Sequence, residues 1–136
     1  MNSEEAKNKL LVHSSPIANS EEWRECFLGQ LKPYRGRLDD SIYNDIINCL
    51  KVVFDEVQSG EAIDLRIVAG VHGILHLGRE WVSDPESGLR KSGRIPDDEV
   101  VRLERWLNNI SSMYLTMVRY KSDKEYLFSR YQLSKS

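Results

Sequence analysis

Three residues able to bind a metal or move a proton stand at four-residue steps, His72, His76 and Glu80. On a helix that spacing stacks them along one side, and neutral imidazoles with a carboxylate are ligands that zinc and related ions accept. Two features argue against a metal centre here. The glutamate that serves as general base between the histidines of zinc proteases is missing, because Gly73 follows His72. The Glu-x-x-His pairs of di-iron bundles are missing as well. His72 borders an apolar stripe, so the expectation is a half-buried packing histidine and no metal.

Arg66 and His72 form an Arg-x5-His string at the start of the same segment. This string resembles the Arg-x4–6-His motif of HEPN ribonucleases, which are also small all-α domains. It departs from that family at Ile67, where a polar residue usually follows the arginine. The resemblance implies that Arg66 would contact phosphate and that His72 would take part in RNA cleavage, with a dimer completing the site. It covers seven residues of the chain and stands as the alternative, enzymatic reading.

Other routes to catalysis find no support in the residue pattern. The serines fall in caps and loops, and His13 lies beside the breakers Ser14, Ser15 and Pro16. Paired carboxylates such as Asp39–Asp40 and Asp97–Asp98 precede apolar stripes, where capping accounts for them. The glycines from Gly88 to Gly93 lack the strand and lysine of a phosphate-binding loop. No cofactor motif appears, and catalysis is not expected.

Charge points toward partners instead. Residues 1–64 hold 7 basic and 12 acidic side chains, whereas residues 65–136 hold 12 basic and 9 acidic. The acidic half argues against a general nucleic-acid binder, which needs a concentrated basic face. It suits a protein partner that is itself basic, such as a toxin or nuclease domain. The residues expected to meet that partner are Glu21, Glu22, Glu25, Asp39, Asp40 and Asp45, with Trp23 or Tyr34 as a buried anchor. Arg90, Lys91 and Arg94, in a loop, form a second candidate surface. The tail interleaves Arg119, Lys121, Lys124 and Arg130 with Tyr120, Tyr126, Phe128 and Tyr131, which suits protein interfaces and equally nucleic-acid stacking. A regulatory nucleic-acid-binding adaptor using the loop and tail is therefore a further alternative. Together these features predict a small protein-binding module, of the kind that neutralises a toxin or enzyme by occluding a basic site, as immunity proteins do. The sequence sets no oligomeric state.

The elements that must position these residues follow from periodicity. At 136 residues, with 40% hydrophobic and 29% charged side chains, the chain suits one globular domain. The stretch 65–82 is the most apolar and places Ile67, Val68, Val71, Ile74, Leu75, Trp81 and Val82 on one broad stripe, which predicts a central helix. Its Val68, Val71 and Leu75 are expected to join Ile46, Leu50, Phe54, Trp106 and Ile110 in the core. Gly70 and Gly73 inside it each cost roughly 1 kcal/mol of helix propensity, so close approach of a neighbouring helix is expected there. Residues 40–58 carry the clearest amphipathic pattern, closed by Gly60. Only a short connection follows, so helices 40–58 and 65–82 are expected to form an antiparallel hairpin.

Ser20, followed by Glu21 and Glu22, predicts a helix to about residue 32, before Pro33. Residues 83–96 read as a loop, and residues 97–117 as a long helix opened by Pro96 and three acids. Ser122 with Glu125 predicts a short final helix. Residues 1–19 are expected to be loosely ordered, with a short helix near 4–12. The expected architecture is a single all-α bundle of about five helices, four of them substantial. Cys26 and Cys49 fit reduced, buried side chains. The N-terminus lacks the basic start and apolar middle of a secretory signal, and no apolar run is long enough to span a bilayer, so a cytoplasmic location is expected.

Overall fold

Asn2, Asp39, Asp64 and Ser87 each start a helix by accepting a backbone N–H two or three residues ahead, from Glu5, Ser41, Arg66 and Arg90 at 2.8–3.2 Å. These contacts satisfy donors that a helix leaves orphaned in its first turn. The computed structural model describes residues 1–14, 25–32 and 34–122. Within them the helices are α1 (Ser3–His13), α2 (Asp40–Gln58), α3 (Leu65–Val82), α4 (Gly88–Lys91) and α5 (Asp97–Ser122). No strand occurs among the described residues, and the protein is an all-α bundle with four substantial helices and one short one. No helix is long and apolar enough to cross a membrane among the described residues.

The apolar face of α2 is buried as its spacing requires, through Ile42, Ile46, Leu50, Val53 and Val57. The helix ends on Gly60 at a φ of +108°. There the Glu61 N–H reaches Glu56 O and the Gly60 N–H reaches Val57 O, the paired bonds of a Schellman ending that needs a residue without Cβ strain. The expected core is largely observed. Ile46, Leu50, Val71, Leu75, Trp106 and Ile110 are buried, Phe54 packs at the edge of the core, and Val68 is half-buried.

Four features differ from the sequence expectation. The first is the pairing of helices. α1 and α5 each pack against both α2 and α3, and α2 and α3 lie across the bundle from one another instead of forming a packed hairpin. α1 takes the adjacent place because its Leu10 backbone approaches Gly70 so closely that a Cβ there would lie 2.7 Å from the Leu10 carbonyl carbon and oxygen. The close approach expected at the glycines of α3 is therefore real, and α1 and its cap make it: a Cβ on Gly73 would lie 2.7 Å from the side-chain Cβ of Ser14.

The second difference is that residues 3–13 are a packed helix, with Ala6 and Leu10 fully buried. Its apolar residues are too few for a strong periodic signal, since two of its buried positions are Lys7 and His13. The third concerns residues 20–32. Residues 20–24 lie outside the described residues, and 25–32 form successive turns closed by a bridge between Leu31 and Tyr34. Tertiary bonds interrupt the helical ladder: Phe27 N–H donates to His13 Nδ1 and Leu28 N–H to His13 O, while Gln30 N–H returns to Cys26 O and Leu31 N–H to Leu28 O as single turns. Cys26, Phe27 and Leu28 are fully buried in this turn segment, which explains the apolar spacing that resembled a helix.

The fourth difference is a single helical turn, α4, inside the expected loop 83–96. Arg90 holds it by donating to the Val82 carbonyl at 2.7 Å, which satisfies an acceptor at the end of α3. Ser122 is the last residue of α5, and the expected final helix beyond it lies outside the described residues.

Candidate functional site

Arg66 is committed inside the fold. Its Nε and Nη2 grip Asp64 at 3.0 and 2.9 Å, Nη1 and Nη2 reach Glu4 at 2.9 and 3.1 Å, and Nη1 also meets Asn8 at 3.1 Å. Those contacts occupy all five N–H donors of a guanidinium. Hydrogen bonds from Arg66 hold the Asp64 carboxyl well below the usual carboxylate range. Lys7 adds a part-buried bridge to Glu56 at 2.9 Å and lies 3.9 Å from Asp64, so the starts of α1 and α3 and the end of α2 are tied by charge. His72 lies elsewhere: its ring meets the edge of Tyr114 on α5, with centroids 5.4 Å apart. The two residues of the ribonuclease-like string thus work on different neighbours. Arg66→Ala should lower the midpoint of thermal unfolding, and by less in 1 M salt, where ion pairs are screened. An unchanged midpoint in low salt would show that the cluster is not structural.

His72 and His76 are both exposed, which corrects the half-buried reading of His72. They line an open groove between α3 and α5 with Arg79, Glu80, Tyr114 and Leu115. His76 Nε2 and Glu80 Oε2 are 3.7 Å apart. Among the described residues no group of three His, Cys, Asp or Glu side chains is placed to hold a metal ion.

The acidic residues chosen from the sequence divide sharply. Glu21, Glu22 and Trp23 lie outside the described residues. Asp39 is spent on capping, with its Oδ1 accepting from both Ser41 N–H and Ser41 O–H, and Asp40 pairs with Arg102 on α5. Asp45 accepts from Lys9 Nζ at 3.0 Å and from His13 Nε2 at 2.8 Å. Tyr34 is buried, and its hydroxyl donates to Glu99 at 3.3 Å; burial first, then the Glu99 charge, pushes its pKa up. Tyr34 is therefore a core residue and not an exposed anchor. Glu25 alone of the described members stands exposed with no role in capping or pairing shown. Charge counting registers how many acids a segment holds but not the internal cations that the fold brings to them.

The basic loop divides too. Arg90 is turned to the Val82 carbonyl, and Lys91 pairs with Glu86 at 2.7 Å. Arg94 stays exposed and lines a cavity of about 290 Å³. The cavity's apolar wall is Leu31, Tyr34, Trp81 and Leu89, and Lys32 and Ser92 share its polar border. Lys32 Nζ stands 5.5 Å from the centre of the Trp81 ring, within cation–π range. Three elements build the site: the turns before Tyr34, the last turn of α3, and α4. Trp81, on the apolar stripe by its spacing, is half-buried and faces this cavity, and neither Lys32 nor Leu89 is marked by motif or periodicity. Leu89 had a signal, as the one leucine in a polar, glycine-rich loop.

Comparison with family models, with curated proteins and with solved structures returned no match to this chain.

Proposed function

We propose that this protein is a small protein-binding module that acts by occlusion, covering a site on a toxin or an enzyme, and that it grips its partner at the cavity beside Trp81. One observation carries the reading: an apolar cavity lined by a half-buried tryptophan is bordered by two cations, Lys32 and Arg94. Tryptophan and arginine are the residues that most often dominate binding energy, and a concave apolar patch with a polar border is the arrangement that excludes water around them. The matching surface on the partner is an apolar side chain flanked by carboxylates. That complementarity moves the docking face from the acidic residues, of which Asp39, Asp40 and Asp45 are engaged within the fold, to the basic loop.

The ribonuclease-like alternative gains nothing from this geometry, because an arginine with all five donors engaged has none left for a phosphate. The test is affinity. The partner should be isolated on the wild-type chain and its binding measured again after changes at Trp81 and Arg94. Undiminished binding by both variants would remove the cavity from the interface.

A further inference from the structure

His13 is the one histidine that the fold buries, at 5% exposure, and both of its ring nitrogens are bonded. The Phe27 backbone N–H donates to Nδ1 at 3.1 Å, so Nδ1 carries a lone pair and the neutral ring bears its proton on Nε2. That proton is donated to Asp45 Oδ2 at 2.8 Å. The His13 carbonyl accepts the next amide, Leu28 N–H, at 3.3 Å. One residue at the end of α1 therefore holds the turn segment by two successive amides, and this segment has little regular structure of its own. We propose that His13 is a proton-operated latch: neutral, it pins residues 26–31 against α1 and α2, and protonation at Nδ1 releases them.

The physical reason is donor against donor. A proton on Nδ1 would point at the Phe27 N–H across 3.1 Å, so a buried hydrogen bond becomes a repulsive contact and the amide is left unsatisfied. The imidazolium keeps its pairing with Asp45, so the release falls on the turn segment and not on α2. Leu31, Lys32 and Tyr34, which wall the cavity beside Trp81, belong to the same stretch of chain. The latch stands whether or not that cavity binds a partner.

The charged groups acting on His13 are Asp45 from α2 and Lys9 from its own helix. Burial dominates and pushes the His13 pKa down, Asp45 pulls it up, and Lys9 pushes it further down. Cys49, also on α2 near Asp45 and Lys9, has a thiol pushed up to about 12, mainly by burial, and adds no charge at neutral pH. The direction of the effect follows from linkage. Release removes the burial cost while Asp45 and Lys9 still act in opposite directions, which returns the ring toward the ordinary histidine value of 6.5. Above that value both states are neutral, and the latch is at full strength. As the pH falls below 6.5 the released state takes the proton first, so the latch weakens until the pH reaches the lower pKa of the pinned state.

Amide exchange in the full-length, isotope-labelled chain tests this, with the His13 ring followed in the same samples. After correction for intrinsic chemistry, protection at Phe27 and Leu28 should drop on going from pH ~7.5 to ~5, by up to about 30-fold, since each pH unit below the released-state value is worth a factor of ten. Protection at Val53 in α2 should not follow it. Lys9→Gln, an exposed change that leaves the core alone, should move the midpoint up in pH, and Asp45→Asn should move it down. His13→Asn, whose amide oxygen can still accept from Phe27 but does not titrate, should flatten the dependence. Flat protection at Phe27 and Leu28 in the wild type would overturn the latch. So would loosening of Val53 in step with them, or a midpoint that ignores both charge variants.

Discussion

Leu10→Ala is expected to destabilise the protein by about 2–5 kcal/mol, the range for a buried leucine cut to alanine in a packed core. Leu10 is fully buried, and its backbone rests on Gly70. α1 joins the bundle by packing on α2 and α3 together, so a cavity at this point opens two contacts at once. The companion change tests the backbone side of the same contact. Helix propensity alone would reward Gly70→Ala by about 1 kcal/mol. The added Cβ would lie 2.7 Å from carbonyl atoms of Leu10, which cannot rotate aside, so the two helices must separate. Overpacking of that kind costs roughly 1–3 kcal/mol, and the net result should be a loss. Gly78→Ala is the control. Its Cβ would meet the flexible tip of Leu107 at 2.9 Å, and a rotamer adjustment can make room, so the outcome should lie near zero or be stabilising. Denaturant unfolding measures all three. A loss below ~1 kcal/mol for Leu10→Ala would mean that α1 is not part of the core.

Trp81→Ala should weaken partner binding by about 30-fold or more, since a central interface tryptophan is commonly worth ~2 kcal/mol or above. Trp81 is half-buried and also supports the cavity wall, so its removal mixes lost contact with lost shape. Arg94→Glu separates the two. Arg94 is exposed, and its reversal leaves the apolar wall intact. If the partner presents carboxylates, reversal should slow association by about tenfold at low salt and by much less near 1 M salt, where the Debye length is only ~3 Å. Glu25→Lys is the matched reversal on the acidic segment and should leave the association rate unchanged. Stopped-flow association at two salt concentrations reads both variants. Slower association with Glu25→Lys and unchanged association with Arg94→Glu would return the docking face to the acidic residues.

Periodicity and capping are local, and what they encode is what the sequence by itself determined. α2, α3 and α5 could be read because each carries an apolar stripe several turns long, an acidic or hydroxyl start, and glycine or proline punctuation. The all-α class and most of the core residues follow from those three stripes. Gly70 could be recognised as a site of close approach, because an interior helix glycine needs a reason. Which helix made the approach could not be read.

Only the tertiary structure decided the pairing of charges. Asp45 counts as surface acid until His13, 32 residues earlier in the chain, and Lys9 are brought to it. Arg66 reads as a free cation until α1 supplies Glu4 and Asn8. Tyr34 reads as an exposed aromatic until Glu99, 65 residues later, meets its hydroxyl. The turn segment 25–32 reads as helix for the same reason, since His13 takes the Phe27 and Leu28 amides and only isolated local bonds, such as Gln30 N–H to Cys26 O, follow. The cavity beside Trp81 has walls from three separate elements, none of which is concave alone. A local pattern records where a side chain sits on its own helix. Its partners depend on how helices cross, and a close contact such as Leu10 on Gly70 settles that through packing at long range in the chain.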